Sequence, residues 1–336
     1  MNPVLVENTR GGVVESFHRG SICIVNKKGQ VIYSIGDINQ VSFPRSALKF
    51  FQHLPLLISG AFDQFGFSNK DLALMCGSHN GEPMHVNNVE EMLLKVNLTV
   101  DQLQCGAQQP TLKKDFVQLI KADKEPSALH NNCSGKHSGF LAYCKYLNLP
   151  TQNYLMLDHP LHQEIMKITA LFYELTKEEL IIGVDGCSAP IFGMPLYNQA
   201  VAYKNLICPE KFNQPTITAA CKRIVTAVTS FPLMVAGTKR YCSDLMTVTQ
   251  GRIIGKTGAD GVYSLAIPEK EWGIAIKIDD GKMGPQYQVA HQLLKELGLL
   301  TKSEIEQLEK YGNVPIVNFG GNTVGDSHSV PLNINL

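Results

Sequence analysis

The chain changes from strand patterning to helical patterning and back to strand patterning, and this order limits the folds that it can adopt. Residues 3–36 contain β-rich runs separated by turn residues, which predict strands and tight turns. Helical periodicity dominates from about Pro44 to about residue 235, interrupted by Gly- and Pro-containing segments. Strand patterning returns from about residue 243. The simplest assembly pairs the N- and C-terminal strands in one antiparallel sheet, with the helical region as a second layer or domain.

We therefore expect an α+β or α/β two-layer fold, because 336 residues are enough for two domains with separate cores. Residues 1–44 and 236–336 are predicted to form the antiparallel sheet with flanking helices. Residues 45–235 are predicted to form a mainly helical region that carries most of the candidate chemistry.

Several single elements have clear local signals. Ser68 is a suitable N-cap for a helix over residues 69–75, and Thr301 with Glu304 forms a capping-box pattern for a second helix. The remaining elements predicted from periodicity and turn residues are a hairpin over 21–35, strands over 244–249, 252–256, 262–267 and 273–278, helices over 137–147, 284–297 and 302–310, and an edge strand from Val314.

Composition excludes several classes of function. The chain is 44% hydrophobic and 18% charged with a formal net charge of zero, so nothing indicates a nucleic-acid partner. No stretch approaches the ~20 apolar residues needed to cross a bilayer, so no membrane partner is expected. The N-terminus lacks the basic and apolar regions of a signal peptide, and nine scattered cysteines are typical of reduced thiols. These features predict a cytoplasmic protein.

The first candidate for catalysis is the pair Ser46 and Lys49. Pro44 followed by helix-forming residues predicts the first turn of a helix, and residues three apart on a helix share a face, with Cβ atoms about 5–6 Å apart. A buried lysine can lose its proton and then accept the hydroxyl proton of a neighbouring serine, which makes the serine a nucleophile. The alternative is a solvated helix face.

Two further motifs follow in the order typical of penicillin-recognising serine enzymes, which combine S-x-x-K, S-x-N and K-T-G. Three short matches in the correct order predict a serine-dependent amide hydrolase. The matches are Ser46-Ala47-Leu48-Lys49, Ser78-His79-Asn80 and Lys256-Thr257-Gly258.

The second and third motifs have possible roles around the nucleophile. Ser78 could relay a proton to the leaving group, and Lys256 could hold Ser78 and lower the cost of negative charge nearby. His79, Asn80 and Glu82 could bind polar parts of a substrate. The alternative for both segments is an ordinary turn, since Gly and Pro favour turns without any catalytic role.

A further segment around Cys133 contains groups that bind metals or polar ligands. Cys133 and Cys187, on separate loops with His130, His137 or Asp185 close in sequence, could hold zinc with one position left open. The alternative is that both cysteines are small buried hydrophobic residues. The helix predicted to begin at His137 could also receive a substrate carboxylate at its N-terminus.

Taken together, these segments resemble the rhizobial-type, or class 3, L-asparaginases over nearly the whole chain. Phe50, Ser188, Ala189 and the Tyr241-Cys242 pair depart from the usual pattern beside the site. The segments that carry the resemblance are Glu7-Asn8-Thr9-Arg10-Gly11, Gly36-Asp37, Arg45-Ser46 with Lys49 and Gln52, Ser78-His79 with Gly81-Glu82, Asn131-Asn132-Cys133-Ser134-Gly135-Lys136-His137, Asp185-Gly186-Cys187, Val235-Ala236-Gly237-Thr238, and Lys256 with Gly258-Ala259 and Gly261.

The resemblance implies a serine β-lactamase-like architecture, a homodimer and two Ser–Lys pairs. The pairs are Ser46 with Lys49 and Ser78 with Lys256, and Ser46 is the nucleophile. The reaction implied is hydrolysis of L-asparagine to L-aspartate and ammonia. Glutaminase and β-lactam hydrolase activities stay open as alternatives, as does a non-catalytic amino-acid-binding protein.

The resemblance also implies a zinc ion on Cys133, Lys136 and Cys187, with water completing the coordination and Asp185 beside the ligands. A lysine ligand must bind as the neutral amine. The residues predicted to contact the substrate are Arg45, His79, Glu82, Asp185 and His137, with Arg45 and Glu82 expected to hold its α-carboxylate and α-amino groups.

Overall fold

Strands from both ends of the chain form one eight-stranded antiparallel sheet. The structure is a computed structural model that describes residues 1–334. The strand order is β10-β11-β1-β2-β9-β8-β7, and β3 pairs with β2. The strands are β1 (Val4–Arg10), β2 (Val13–Val25), β3 (Val31–Ile35), β4 (Val41–Ser42), β5 (Ile181–Val184), β6 (Pro190–Pro195), β7 (Ile254–Thr257), β8 (Val262–Ile267), β9 (Trp272–Ile278), β10 (Asn313–Val317) and β11 (Thr323–Ser329).

The helices lie mainly between β4 and β7 in the sequence. They are α1 (Lys49–Gln52), α2 (Leu54–Ile58), α3 (Ala61–Gln64), α4 (Asn69–Met75), α5 (Pro83–Lys95), α6 (Lys113–Lys121), α7 (Ser134–Tyr146), α8 (Pro160–Tyr173), α9 (Leu196–Ile207), α10 (Pro215–Ser230), α11 (Pro232–Val235), α12 (Tyr241–Val248), α13 (Pro285–Glu296) and α14 (Lys302–Leu308). The mixed α+β fold with an antiparallel sheet, predicted from the order of patterning, is confirmed.

The chain divides into two compact units. The sheet unit comprises Met1–Ala47, Met194–Asn205 and Asp244–Leu336, and the helical unit comprises Leu48–Gly193 and Leu206–Ser243. Residues 194–205, which the sequence placed with the helical region, therefore belong to the sheet unit, and residues 236–243 belong to the helical unit.

In the sheet unit, α9 packs directly against the strands. Cys23 and Val25 of β2 form a buried cluster with Ala275 of β9 and with Leu196, Ala200 and Val201 of α9. Gly273 permits this close approach, because a Cβ there would lie 2.0 Å from the carbonyl oxygen of Ala200. The packing explains why residues 194–205 join the sheet.

In the helical unit, α7 is buried on all sides against α4 and its neighbours. Every residue from 134 to 144 is buried, as expected for a helix in the centre of a bundle. Gly135 allows α7 to approach α4 closely, because a Cβ there would lie 2.5 Å from the carbonyl oxygen of Leu74. Ser68 caps α4 through a capping box with Asp71, which confirms the predicted start of this helix.

The predictions for single elements are mostly confirmed. The 21–35 hairpin forms, the helices α13 and α14 lie where expected, and Thr301 caps α14 through Glu304. β10 is an edge strand of the sheet, as predicted from Val314. Within residues 1–334, no helix combines the length and apolarity needed to cross a membrane.

The strand predicted over 244–249 is wrong, because these residues lie mainly in helix α12. Alternating Thr and Val residues indicated a strand, but Tyr241, Leu245 and Met246 bury one helical face. Thr249 Oγ1 donates to the carbonyl oxygen of Leu245 at 2.7 Å, which satisfies a β-branched residue at the helix end. Tertiary burial therefore outweighed the β-propensity of the segment. The region predicted as helical also contains the short strands β5 and β6.

Candidate active site

Ser46 lies in a short 3₁₀ helix, Arg45–Leu48, that follows Pro44 in the sheet unit. Ser46 is half-buried, so part of its surface remains accessible. Gly258 packs against this segment, because a Cβ there would lie 2.2 Å from the carbonyl oxygen of Pro44. Arg45 forms an ion pair with Asp260. The loop that follows β7 therefore lies beside the Ser46 segment within the sheet unit.

Arg45 adopts φ 51°, in the left-handed region that L-residues rarely occupy. Such backbone strain costs of order 1 kcal/mol and often occurs at functional sites. Arg45 lies one residue before Ser46, at the first position of the 3₁₀ helix.

Lys256 occupies β7, in the sheet unit, and is completely buried. Its ammonium nitrogen Nζ donates to the carbonyl oxygen of Thr257 at 2.9 Å. Burying a lysine costs free energy unless its charge is paired or hydrogen-bonded, and this bond meets part of that need.

Lys49 begins α1 in the helical unit, and only 1% of its surface is exposed. Its Nζ donates to Ser78 Oγ at 3.0 Å, to the carbonyl oxygen of Gly77 at 2.5 Å and to the carbonyl oxygen of Asn132 at 3.2 Å. The backbone N–H of Ser78 donates to the carbonyl oxygen of Val235 at 2.7 Å, which fixes the serine beside the lysine. The structure thus brings Lys49 and Ser78 together, a contact that the motif spacing did not predict.

His79 is buried, and both of its ring nitrogens are in use. Nδ1 accepts the backbone N–H of Gly81 at 3.1 Å, so Nε2 carries the proton and faces Ser134 Oγ at 3.0 Å. Burial, followed by the nearby His85 and Lys49, lowers the pKa of His79 well below its usual value. His79 is therefore a neutral residue that connects the Ser78 loop to the start of α7.

Glu82 connects the same loop to residues 235–240. Its carboxylate accepts hydrogen bonds from the backbone N–H of Thr238 at 2.8 Å, from Thr238 Oγ1 at 3.0 Å and from Asn80 Nδ2 at 3.1 Å. Burial acts to raise the pKa of Glu82, but the bonds from Thr238 and Asn80 outweigh it and lower the pKa. Arg240 donates to Asn80 Oδ1 at 2.9 Å and extends this network.

Sequence reasoning did not identify Thr238 and Arg240 as members of this network. A signal was present in the Val235-Ala236-Gly237-Thr238 segment, which carries part of the resemblance. Gly237 is required there, because its φ is 107° and a Cβ would lie 2.4 Å from Glu82 Oε1.

Within the described chain, one group of three potential metal-binding residues stands out in the helical unit. The ligand atoms of Cys133, Asp185 and Cys187 all lie within 4.8 Å of one another. Lys136 Nζ is 3.0 Å from Cys187 Sγ, and Lys136 is 1% exposed. Structure therefore brings together all three predicted zinc ligands and Asp185.

The charges of this cluster are shared unequally between its two thiols. The hydrogen bond from Cys133 and the Lys136 charge hold the pKa of Cys187 far below its usual value, against the effect of burial. The same bond to Cys187, together with burial, raises the pKa of Cys133 well above its usual value. Burial acts to lower the pKa of Lys136, but Cys187, Cys133 and Asp185 outweigh it and raise the pKa. The directions of these shifts favour a thiolate on Cys187 beside the Lys136 ammonium and a neutral thiol on Cys133.

This donor set fits zinc. Zinc in proteins takes thiolate, nitrogen and carboxylate donors at about 2.0–2.3 Å, and sites with an open position use three protein ligands. Cys133 and Cys187 supply two sulfurs, and Lys136 can supply a nitrogen after it loses its proton.

His137 follows Lys136 in α7 and is completely buried. Its Nδ1 is 2.7 Å from the hydroxyl of Tyr154, and its side chain also interacts with Cys187. Burial lowers the pKa of His137 to about 4, so the ring is neutral. His130, which the sequence offered as another possible zinc ligand, instead accepts the backbone N–H of Ser127 at 3.1 Å.

All nine cysteines are buried, and none of them forms a disulfide in the described part of the chain. The structure therefore describes an α+β protein with a buried lysine bonded to a serine and, in the same helical unit, a two-cysteine cluster suited to a metal ion.

The family model of L-asparaginase II matches residues 6–329, and the chain belongs to the L-asparaginase II family. This membership supports an amidohydrolase activity. Among curated proteins, none matches this sequence.

The similarity of this chain to solved structures is weak. A crystal structure of Mglu in its native form in the presence of 4.3 M NaCl has a TM-score of 0.47 and 13% identity, and the match covers 89% of this chain and 66% of that chain. Mglu in its L-glutamate binding form gives 0.46 and 13%, covering 89% and 65%. A β-lactamase from Mycobacterium bovis gives 0.42 and 12%, covering 82% and 94%. This chain thus spans slightly less than two thirds of the length of these two Mglu chains.

Proposed function

We propose that the protein hydrolyses the side-chain amide of L-asparagine to L-aspartate and ammonia. Family membership over residues 6–329 supports the reaction class. The observation that carries the proposal is the 3.0 Å hydrogen bond between Lys49 Nζ and Ser78 Oγ, both buried. A lysine and a serine held together away from water can pass a proton between a nucleophile and a leaving group.

The proposed reaction is acyl transfer through Ser46. Lys49 donates three hydrogen bonds as an ammonium, so it must first lose a proton before it accepts the Ser46 hydroxyl proton while Ser46 Oγ attacks the amide carbonyl carbon. The tetrahedral intermediate collapses as Ser78, in hydrogen-bond contact with Lys49, passes a proton to the departing nitrogen. Ammonia leaves, and an ester joins the substrate to Ser46. Water then attacks the ester, releases aspartate and returns the proton to Ser46, while the Lys256 charge lowers the cost of the oxyanion.

For substrate contacts, we propose that Arg45 holds the α-carboxylate, since a guanidinium matches a carboxylate in a two-pronged contact. Arg45 is bound to Asp260 in the structure, so the substrate would share or replace that partner. The carboxylate of Glu82 already accepts three hydrogen bonds, so we assign Glu82 to holding Thr238 in place.

We keep His79, Asp185 and His137 as proposed contacts of the substrate. The three side chains differ in the contacts that they already make. Both ring nitrogens of His79 are already bonded, so its contribution would be to hold the loop. Asp185 Oδ2 is 3.8 Å from Cys187 Sγ, and the buried His137 side chain also interacts with Cys187. A substrate that contacts Asp185 or His137 would therefore lie beside Cys187.

We further propose that Cys133, Lys136 and Cys187 hold a zinc ion, with Asp185 beside them. Bound zinc supplies a fixed positive charge that can orient an anionic or polar group of the substrate. In the structure, Lys136 Nζ is paired with Cys187 Sγ at 3.0 Å. The metal would therefore have to displace an existing internal ion pair.

Metal analysis of purified variants tests the zinc proposal. We expect about one zinc per wild-type chain and at least a tenfold weaker affinity for Cys133→Ser and Cys187→Ser, because each removes a primary ligand. Cys144→Ser is the matched control, since Cys144 is a buried cysteine on the same helix α7 but lies outside the cluster. Equal zinc content in Cys187→Ser and Cys144→Ser would contradict the proposal.

An assay with several substrates tests the proposed function. Ammonia release from L-asparagine should exceed release from L-glutamine, and a chromogenic β-lactam should not be hydrolysed. Faster release from glutamine would identify a glutaminase, and cleavage of the β-lactam would identify a hydrolase of that type. Thermal stabilisation by asparagine without ammonia release would identify an amino-acid-binding protein.

The homodimer and the cytoplasmic location stay predictions from the resemblance and from the sequence. Light scattering coupled to size-exclusion chromatography measures the mass in solution directly. A mass of twice the 37.0 kDa chain would agree with the homodimer, and a mass of one chain would contradict it.

A further inference from the structure

A cavity of about 300 Å³ lies in the helical unit between the start of α5, helix α6 and the loop before α7. None of the proposed catalytic or zinc-binding residues lines it. Its lining combines apolar residues, among them Pro83, Val86 and Leu119, with the charged residues Asp115 and Lys124. The cavity therefore offers both apolar contacts and charged groups to a small molecule.

The polar feature of this cavity is the carboxylate of Asp115. Asp115 is 7% exposed, and its Oδ2 is buried without any hydrogen-bond partner among residues 1–334. A buried carboxylate without a donor is unfavourable, because it has lost the hydration that stabilised its charge. A carboxylate oxygen only accepts hydrogen bonds, so the group that it lacks must be a donor, and a cationic donor gives the strongest bond.

We propose that this cavity is a binding site for a small aliphatic molecule with a primary ammonium group, which Asp115 holds. The ammonium would donate to the carboxylate of Asp115, and the apolar body would lie against Pro83, Val86 and Leu119. Two sources share this chemistry, namely a simple aliphatic amine and the α-ammonium end of an amino acid. The second source also carries a carboxylate, which Lys124 or His130 of the lining could bind.

The position of the cavity gives binding a physical connection to the Ser78 loop. Gly81 and Pro83 line the cavity on either side of Glu82, whose carboxylate holds Thr238. A Cβ on Gly81 would lie 2.8 Å from the carbonyl oxygen of His130, another lining residue, so this turn is packed closely against the cavity wall. An occupant would therefore stabilise the turn that carries Glu82. The inference concerns binding and does not depend on the proposed hydrolysis.

Calorimetric titration with three matched probes tests the inference. n-Butylamine and L-norvaline share a propyl body and a primary ammonium, and norvaline adds a carboxylate. 1-Butanol has a similar body with a neutral hydroxyl. We expect at least one of the two ammonium compounds to bind with a one-to-one ratio and 1-butanol to bind far more weakly. The preferred ammonium compound identifies the source.

Two variants test separately how much the carboxylate and the volume of the cavity contribute to binding. Asp115→Asn keeps the shape and should weaken binding by about 10- to 100-fold, the effect of losing one charge-assisted hydrogen bond. Val86→Phe fills part of the cavity while keeping the carboxylate, and should also weaken binding. Asp123→Asn is the control, because Asp123 is exposed, lies outside the lining and changes the net charge equally.

Circular dichroism confirms that each variant is folded before titration. Equal binding to Asp115→Asn and Asp123→Asn would overturn the inference, as would equal binding of 1-butanol and n-butylamine. Absence of binding by both ammonium compounds across the millimolar range would also overturn it.

Discussion

Glu82 offers a test of how the Ser78 loop is held, because one carboxylate joins it to the segment around Thr238. In Glu82→Gln, the amide oxygen can accept the N–H groups of Thr238 and Asn80, and the new NH₂ group can donate to Thr238 Oγ1 after the hydroxyl turns. The number of hydrogen bonds is preserved, but three charge-assisted bonds become neutral. A bond to a charged group contributes about 1.5–3 kcal/mol and a neutral bond about 0.5–1.5, so each bond loses about 1–1.5 kcal/mol. Because burying the amide costs less than burying the carboxylate, part of this sum is offset, and we expect a net loss of about 1–3 kcal/mol in the free energy of unfolding.

The pH dependence of this loss follows from the lowered pKa of Glu82. A carboxylate whose pKa is lower in the folded state stabilises the fold fully above its unfolded pKa, which is about 4.3 for glutamate. The stabilisation disappears as pH falls through the folded pKa, because the wild-type side chain is then protonated like the amide. The difference between wild type and Glu82→Gln should therefore be largest at pH 7 and should shrink below about pH 4.

Urea unfolding at pH 7 and at a series of lower pH values measures this difference. Glu91→Gln is the matched control, since Glu91 is an exposed glutamate on α5, the helix that begins next to Glu82. We expect the control to change stability by no more than about 0.5 kcal/mol. Equal stability of Glu82→Gln and Glu91→Gln at pH 7, or a difference between wild type and Glu82→Gln that grows towards low pH, would refute the reasoning.

Two further predictions concern the same helical unit. Asp71→Asn should destabilise the protein by about 2–4 kcal/mol at pH 7, because Asp71 is buried and bonds Ser68, Asn88 and Lys95. These partners outweigh burial and lower the pKa of Asp71, so the loss should diminish as pH falls through that pKa. If the unfolding free energies of wild type and Asp71→Asn do not converge at low pH, this account is contradicted. Gly237→Ala should lower the thermal midpoint more than Gly66→Ala, because both glycines have positive φ but only Gly237 would place a Cβ against Glu82, and equal midpoints would disprove the steric argument.

The sheet could be predicted from sequence because its strands are apolar runs bounded by turn residues. β8 and β9 are nearly continuous apolar runs, as expected for strands in which nearly every residue is buried. The N- and C-terminal strands were the only predicted strands, so they were expected to pair with one another. α12 could not be predicted in the same way, because its sequence has the β-branched composition of a strand and only packing of Leu245 and Met246 makes it a helix.

The candidate site was predicted as a set of residues but not as a set of contacts. Lys49 and Ser78 are 29 residues apart, and Glu82 and Thr238 are 156 apart, so no local spacing relates them. Short motifs identify side chains with suitable chemistry, whereas the fold decides which of these side chains meet. The proposed zinc ligands also could not be chosen from spacing. The residues alone favoured a histidine as the third ligand, and only the resemblance named Lys136.

Ammonia release from L-asparagine by wild type and Ser46→Ala tests the central claim most directly, because the proposed reaction requires an ester on Ser46. Ser230→Ala, at an exposed serine at the end of α10, is the control for expression and handling. We expect wild type and the control to release ammonia at similar rates, and Ser46→Ala to retain less than about 1% of that rate, as is usual when a nucleophile is removed. A Ser46→Ala variant that keeps more than a few per cent of wild-type activity would contradict the assignment of Ser46 as the nucleophile.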